Sequence, residues 1–154
     1  LMDRFNAGDL DLALVKRQPA DRRLGTRVWR EPLVWAGRDH GAAGPGEGPL
    51  ALAVSPRPCV YRKRATDALD EAGRPWRIAY TCGSLAGVLA AVRAGLGVTV
   101  LPKEMVPPDL AMLEGADSGL PDLAETEIAL LVATGIGPAA ERLRDAIVRA
   151  LEHR

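Results

Sequence analysis

The sequence predicts an α/β domain built on a parallel sheet. Between residues 50 and 102, short apolar runs alternate with helical stretches in the order strand, helix, strand, helix, strand. That is the spacing of βαβ units. Glycine or proline also stands where most of these elements need to stop. The 154 residues suffice for one ordinary domain or two small lobes.

Residues 1–7 read as a helix tail stopped by Gly8. The opening Leu1-Met2-Asp3-Arg4-Phe5 reads as the middle of a helix, so upstream sequence is expected. LDLALV (10–15) is mostly apolar and reads as a strand buried on both faces. Lys16 and Arg17 follow its end, and a polar loop runs to Leu24. RVWREPLVW (27–35) alternates in part and is broken by Pro32, which indicates an extended segment or an edge strand. GRDHGAAGPGEGP (37–49) is the richest Gly/Pro tract and marks a lobe boundary.

A new unit starts with an apolar strand over 50–54. The loop SPRPC follows, then a helix over 61–72 with Gly73 as its stop. A strand over 77–81 leads through the turn TCGS into a helix over 85–94, whose single charge, Arg93, predicts that it is largely buried. Gly95 supplies a left-handed cap and Gly97 a tight entry into a strand over 98–101, closed by Pro102. Residues 103–125 read as loop. EIALLVA (127–133) is a further strand, and 138–152 an amphipathic helix with Leu143, Ile147 and Leu151 on one face.

Composition excludes some functions. With 20 basic and 20 acidic residues, the chain lacks the net basic surface that gripping a nucleic-acid backbone requires. Aromatics at 4% leave little for stacking on single strands. No apolar run approaches the roughly 20 residues that span a bilayer. Cys59 and Cys82 are too few for a disulfide scaffold and lack metal-ligand spacing, so a reduced, cytoplasmic setting and no metal are expected.

The turn 81–84 is where chemistry would gather. A hydrolase elbow would place glycines two residues either side of Ser84, but Gly83 is adjacent and Gly87 is three away. The only histidines are His40 and His153, so a general base is poorly supplied. No G-x-x-x-x-G-K-[ST] phosphate loop occurs. Neither an enzyme nor a cofactor is expected. Ligand docking is the remaining reading, because Thr81, Cys82 and Ser84 lie beyond the carboxyl end of a strand and at a helix start. Ser84 is equally placed to be a helix N-cap, and the two roles are compatible.

PRPCVYRKR (56–64) brings Arg57, Arg62, Lys63 and Arg64 to the start of the preceding helix, where positive charge opposes the macrodipole. A bound carboxylate or phosphate would relieve that conflict; solvation of these side chains is the plainer alternative. Cys59 and Cys82 each follow a strand and would form a redox pair if their Cα atoms came within ~7 Å. Asp67 and Asp70-Glu71 read as solvated helix-face residues.

Four segments together carry a family resemblance: GDLDLALV (8–15), REPLVWAG (30–37), PRPCVYRKRATDALDEAGRPWRIAYTCGSLAGVLAAVRAGLGVTVLP (56–102) and LPDLAETEIALL (120–131). In order and spacing they resemble the C-terminal effector-binding domain of LysR-type transcriptional regulators, over nearly the whole chain. The resemblance implies a two-lobed, type 2 periplasmic-binding-protein-like α/β fold with an effector cleft between the lobes. It assigns 1–37 plus 130–154 to the first lobe and 38–129 to the second. It implies that the DNA-reading winged helix-turn-helix, a linker helix and the first strand and helix of lobe one lie upstream of Leu1.

By the same resemblance the effector would meet the turn at Thr81, Cys82 and Ser84, the helix start at Pro58, Cys59 and Val60, and Lys16 after the first strand. The implied partners are a small-molecule effector, an anionic one by the basic cluster, and further copies in a homodimer or homotetramer. DNA would be reached only through the upstream domain, and no membrane is involved. A periplasmic solute-binding protein of the same fold is the alternative.

Overall fold

A computed structural model describes residues 1–17, 24–44, 48–114 and 118–152. The polar loop expected over 18–23, part of the Gly/Pro tract and His153 lie outside the described residues. The chain divides into two compact units, Leu1–Glu31 with Thr126–Arg154, and Pro32–Glu125. These divisions fall a few residues before the lobe limits that the resemblance implies.

The first unit begins with the short helix α1 (Met2–Asn6), followed by β1 (Leu12–Arg17) and β2 (Thr26–Glu31). Its sheet is completed from the far end of the sequence by β8 (Thr126–Val132), which lies between the other two in the order β1-β8-β2. Both pairings are antiparallel, with Leu14 opposite Leu130 and Glu31 opposite Thr126. Ala13, Val15, Ala129 and Leu131 form the core of one face, covered by Met2 and Phe5 of α1. The helix α4 (Pro138–Glu152) lies against β2.

β1 departs from the sequence reading. Ala13, Val15 and Arg17 are buried, while Leu14 and Lys16 between them are exposed. The strand is therefore half-buried in the two-residue rhythm of an antiparallel sheet. On α4, Ile147 and Leu151 are half-buried but Leu143 is 54% exposed, so the apolar stripe is only partly covered.

The second unit opens with β3 (Leu33–Gly37), which is buried at all five positions. It is a central strand, not an edge: it pairs antiparallel with β6 (Thr99–Pro102) on one side and β7 (Ala111–Leu113) on the other. Pro32 sits before the strand, so its missing N–H takes no ladder position. β4 (Leu50–Val54) and β5 (Trp76–Thr81) pair in parallel, as the βαβ spacing predicts. Val98 joins these strands to β6, exchanging hydrogen bonds of 2.9 Å with Ala51 O and Ala53 N in a parallel bridge to Leu52.

The two faces of β4 receive the two helices. Leu50, Leu52 and Val54 enter the larger core with Ala65 and Leu69 of α2 (Val60–Glu71). Ala53, pointing the other way, packs with Val88, Ala91 and Val92 of α3 (Leu85–Arg93). The alternation of strand side chains thus directs one helix to each face. α3 is less buried than its single charge predicts, because Leu85, Ala86 and Ala90 are exposed along its outer side.

Two glycines act as the sequence predicts. Gly95 adopts φ +76° after α3, and the amides of Gly95 and Leu96 close onto the carbonyls of Val92 and Ala91. This is a Schellman stop. At Gly97 an added Cβ would lie 2.5 Å from the Ala51 carbonyl oxygen, so only glycine lets the two backbones approach. The stretch 103–125 is more structured than its loop-like pattern indicates. It holds a 3-10 turn (Lys103–Met105) as well as β7.

Candidate functional site

The parallel pairing of β4 and β5 places their carboxyl ends side by side, each followed within a few residues by a helix start. Residues beyond such strand ends meet the free N–H groups of helix N-termini. A hydrogen bond of 3.1 Å from Cys82 N to Val54 O ties the two ends together.

After β4 the chain makes a bend with a cis Arg57–Pro58 bond and enters α2 with Cys59 as N-cap. Cys59 gives no side-chain cap, and the first turn of α2 contains no acidic residue. A cavity of about 480 Å³ opens here, lined by Arg57, Pro58, Cys59 and Val60 and by Arg62, Lys63, Thr66 and Asp67 further along the helix. That volume lies within the range of small-molecule pockets, roughly 300–1,000 Å³. A second cavity of about 30 Å³, with room for about one water, lies between the helix starts, with Cys59 and Arg62 on one side and Leu85 and Val88 on the other.

The basic cluster is only partly solvated. Lys63 is exposed and pairs with Asp67 at 2.6 Å, one helical turn on. Arg62 is half-buried and its Nη1 donates to Ser55 O at 3.3 Å, while its Nε is buried without an acceptor. Arg64 turns instead to the carbonyl of Glu125, at 2.9 Å. Asp67, read as a solvated helix-face residue, has a side chain 41% exposed, and it also lines the cavity together with Thr66. Spacing held that signal: Lys63, Thr66 and Asp67 recur at i, i+3 and i+4 on one helical face.

After β5 comes the turn TCGS, residues 81–84. Ser84 is the N-cap of α3, and its Oγ accepts from Gly87 N at 3.1 Å. Thr81 ends β5 and is exposed. Cys82 is half-buried with its Sγ 3.7 Å from Ser84 Oγ. Hydrogen bonds from the Ser84 amide and then the Ser84 hydroxyl hold the Cys82 thiol below the ordinary thiol range, against a smaller opposing effect of burial. The neighbouring Tyr80 is pushed up, first by its hydrogen bond to Cys82. Gly87 leaves room for this sulfur, since a Cβ there would lie 2.4 Å from Cys82 Sγ. Both cysteines are free thiols.

The structure thus brings Pro58, Cys59 and Val60 into one cavity wall and sets Thr81, Cys82 and Ser84 at the adjoining strand end. Lys16 belongs to the first unit, on the exposed side of β1, with its Nζ 3.7 Å from Glu31 Oε2. Among the described residues no group of three or more His, Cys, Asp or Glu side chains could hold a metal ion. No helix among them is long and apolar enough to cross a membrane.

Comparison with known proteins agrees with this architecture. The transcriptional regulator PecT of Dickeya dadantii (strain 3937) is 37% identical over 127 residues, covering 82% of this chain and 39% of that protein. The transcriptional regulator DgdR of Burkholderia cepacia is 38% identical over 130 residues, covering 84% of this chain and 43% of that protein. The chain therefore spans about two fifths of the length of these curated relatives, both helix-turn-helix regulators by name. Among solved structures, the CcmR regulatory domain of Synechocystis PCC6803, in complex with 2-PG, superposes with a TM-score of 0.73 at 17% identity. That superposition covers 98% of this chain and 78% of the other, and it shows a shared fold of the type 2 periplasmic-binding-protein-like class. The profile of the LysR substrate binding domain matches residues 1–152, and the chain belongs to that family.

Proposed function

We propose that this chain is the small-molecule-sensing regulatory domain of a LysR-type transcription factor. The observation that carries the reading is the cavity of about 480 Å³ at the start of α2, in a chain of the LysR substrate binding domain family. Pro58, Cys59, Val60, Thr81, Cys82 and Ser84 would contact the effector, as would Lys16. The effector would favour one arrangement of the domain over another, and that differential affinity would be passed to a separate DNA-binding domain. The regulator would work in the cytoplasm as a homodimer or homotetramer. No bond need be broken in this role. A solute-binding role is disfavoured because the matched relatives are named as transcriptional regulators.

The test is a titration of the full-length regulator with a metabolite panel, following both ligand affinity and the mobility of its DNA complex. A true effector changes that mobility, and Ser84→Ala and Lys16→Ala each weaken its binding several-fold. Unchanged affinity and unchanged gene response in both variants would overturn the site assignment.

A further inference from the structure

We propose that residues 119–125 form a strap that α2 holds shut, with Arg64 and Arg74 as its clasps. Releasing a clasp opens the strap as one unit and loosens the start of β8. This goes beyond the sensing reading and needs no ligand for its test, although α2 also lines the cavity on which that reading rests.

The strap is the stretch through which the chain leaves the second unit for β8. Over 120–125 it joins neither sheet nor helix, so no ladder fixes it. Side chains take its carbonyls instead. Arg74 Nη1 donates to Gly119 O, Trp35 Nε1 to Pro121 O at 2.9 Å, and Arg64 Nη2 to Glu125 O at 2.9 Å. Leu120 and Leu123 are its apolar anchors, half-buried against the larger core.

Both clasps belong to α2. Arg64 lies in its second turn, and Arg74 follows its C-cap, with its own amide bonded to Leu69 O at 2.9 Å. The Arg74 fork spans two segments, because Nη2 donates to Ala43 O at 2.6 Å while Nη1 takes the strap. Arg64 serves the strap through one nitrogen.

The clasps close by a small margin. The Nε of each arginine is buried without an acceptor, which offsets part of what the carbonyl bonds contribute. A cavity of about 260 Å³ opens beside the strap, with Leu33, Val34 and Trp35 of β3 on one side and Leu120, Pro121 and Leu123 on the other. The strap therefore lacks the close packing that holds a core segment in place. At its far end Thr126 is fully buried with its hydroxyl unpartnered. Few buried apolar contacts and no ladder are the marks of a segment that opens locally.

The test is hydrogen exchange, read by mass spectrometry on the full-length regulator with no small molecule added. Arg64→Gln and Arg74→Gln are each expected to speed exchange over 119–125 about ten-fold and to speed the start of β8 as well. β4 and α3 should keep the parent rates. Lysine separates the two clasps. Arg64→Lys keeps the one donor that Glu125 O needs and should restore most of the protection. Arg74→Lys should not, because a compact ammonium does not span Gly119 O and Ala43 O as the fork does.

Parent rates over 119–125 in both glutamine variants would overturn the proposal. So would acceleration spread evenly over the second unit, which marks ordinary destabilisation, or a fast strap beside an unchanged β8. Equal rescue by lysine at both positions would overturn the two-armed role of Arg74. If the strap behaves as expected while no metabolite alters the DNA complex, the strap stands and the sensing reading falls. An effector that alters the complex, in a regulator whose strap is indifferent to both glutamine variants, would sink the strap alone.

Discussion

Arg17 and Glu127 form an ion pair inside the first unit, with Arg17 Nε 3.0 Å from Glu127 Oε2 and both side chains less than a tenth exposed. The two residues face each other across β1 and β8. Arg17 also donates through Nη1 to the carbonyls of Leu24 and Gly25, at 2.7 and 2.9 Å. Arg27 reaches the other carboxylate oxygen at 3.4 Å.

Removing one partner strands the other. Arg17→Met is expected to destabilise the chain by about 3–5 kcal/mol in chemical denaturation, because Glu127 keeps its burial and loses its closest cation. The double change Arg17→Met with Glu127→Leu should recover most of that loss. A single-variant cost below about 1 kcal/mol would show that the pair is solvated.

The same pair sets an acid limit. Burial alone would raise the Glu127 carboxyl, but the hydrogen bonds and charges of Arg17 and then Arg27 together outweigh it and hold the group below its ordinary value of 4.5. A carboxylate depressed in the folded state binds fewer protons there than in the unfolded chain. Its contribution is present above about pH 4.5 and fades as the pH falls through the lower folded value. Denaturation midpoints measured from pH 6 down to pH 3 should drop more steeply in the parent than in the double variant.

At the turn after β5, Ser84→Ala removes the acceptor of the Gly87 amide and is expected to cost about 1 kcal/mol. It also removes the hydroxyl beside Cys82, so the Cys82 thiol should rise toward its ordinary range while the Ser84 amide keeps part of the depression. The pH profile of alkylation at Cys82 should move to higher pH. An unmoved profile would show that the hydroxyl does not act on the sulfur.

Gly97→Ala tests the backbone approach between β4 and the entry to β6. Its Cβ would meet a backbone oxygen at 2.5 Å and could be relieved only by moving the strand. A loss of about 1–3 kcal/mol is expected, together with faster amide exchange at Val98 and Ala53, the two donors of the bridge.

Leu52 and Leu14 form a matched pair of leucines on strands. Leu52 is fully buried between α2 and Val98, and Leu52→Ala should cost about 2–5 kcal/mol. Leu14 is 43% exposed, so Leu14→Ala in this chain should stay within about 1 kcal/mol. Similar losses at both would restore the reading of β1 as buried on two faces.

That misreading shows where sequence pattern ran out. LDLALV looks continuous because Leu14 is apolar, although only its neighbours face the core. LVWAG is continuous because the strand is central and covered on both faces, and Pro32 before it suggested an edge. The two runs differ in their partners: β1 lies at the edge of its sheet beside β8, whereas β3 lies between β6 and β7. Those pairings join residues far apart in sequence and leave no local mark.

Elements that end on local chemistry were legible. The stop at Gly95, the cap at Ser84 and the span of α4 all follow from residues within a few positions of the boundary. In the candidate site the strand-end positions could be read from order alone. The destinations of Arg62 and Arg64 could not, because a long side chain chooses between solvent and a carbonyl only once the fold has brought the carbonyl within reach.

Glu31 and Thr126 stand opposite each other on β2 and β8, and the chain leaves the first unit after one and re-enters at the other. Topologically, the whole of Pro32–Glu125 occupies the place of a hairpin turn. Zipping β2 onto β8 from an extended chain would mean closing a very long loop, which is slow and entropically dear. Once the inserted unit has folded and drawn its own ends together, the same strands meet as though joined by a short connection. Assembly is therefore expected to run from the inserted unit outward, with pulse-labelled amides on β4 and β5 protected before those on β8. The strands β1 and β2, made before the inserted unit, would then wait, unpaired, for β8, made after it.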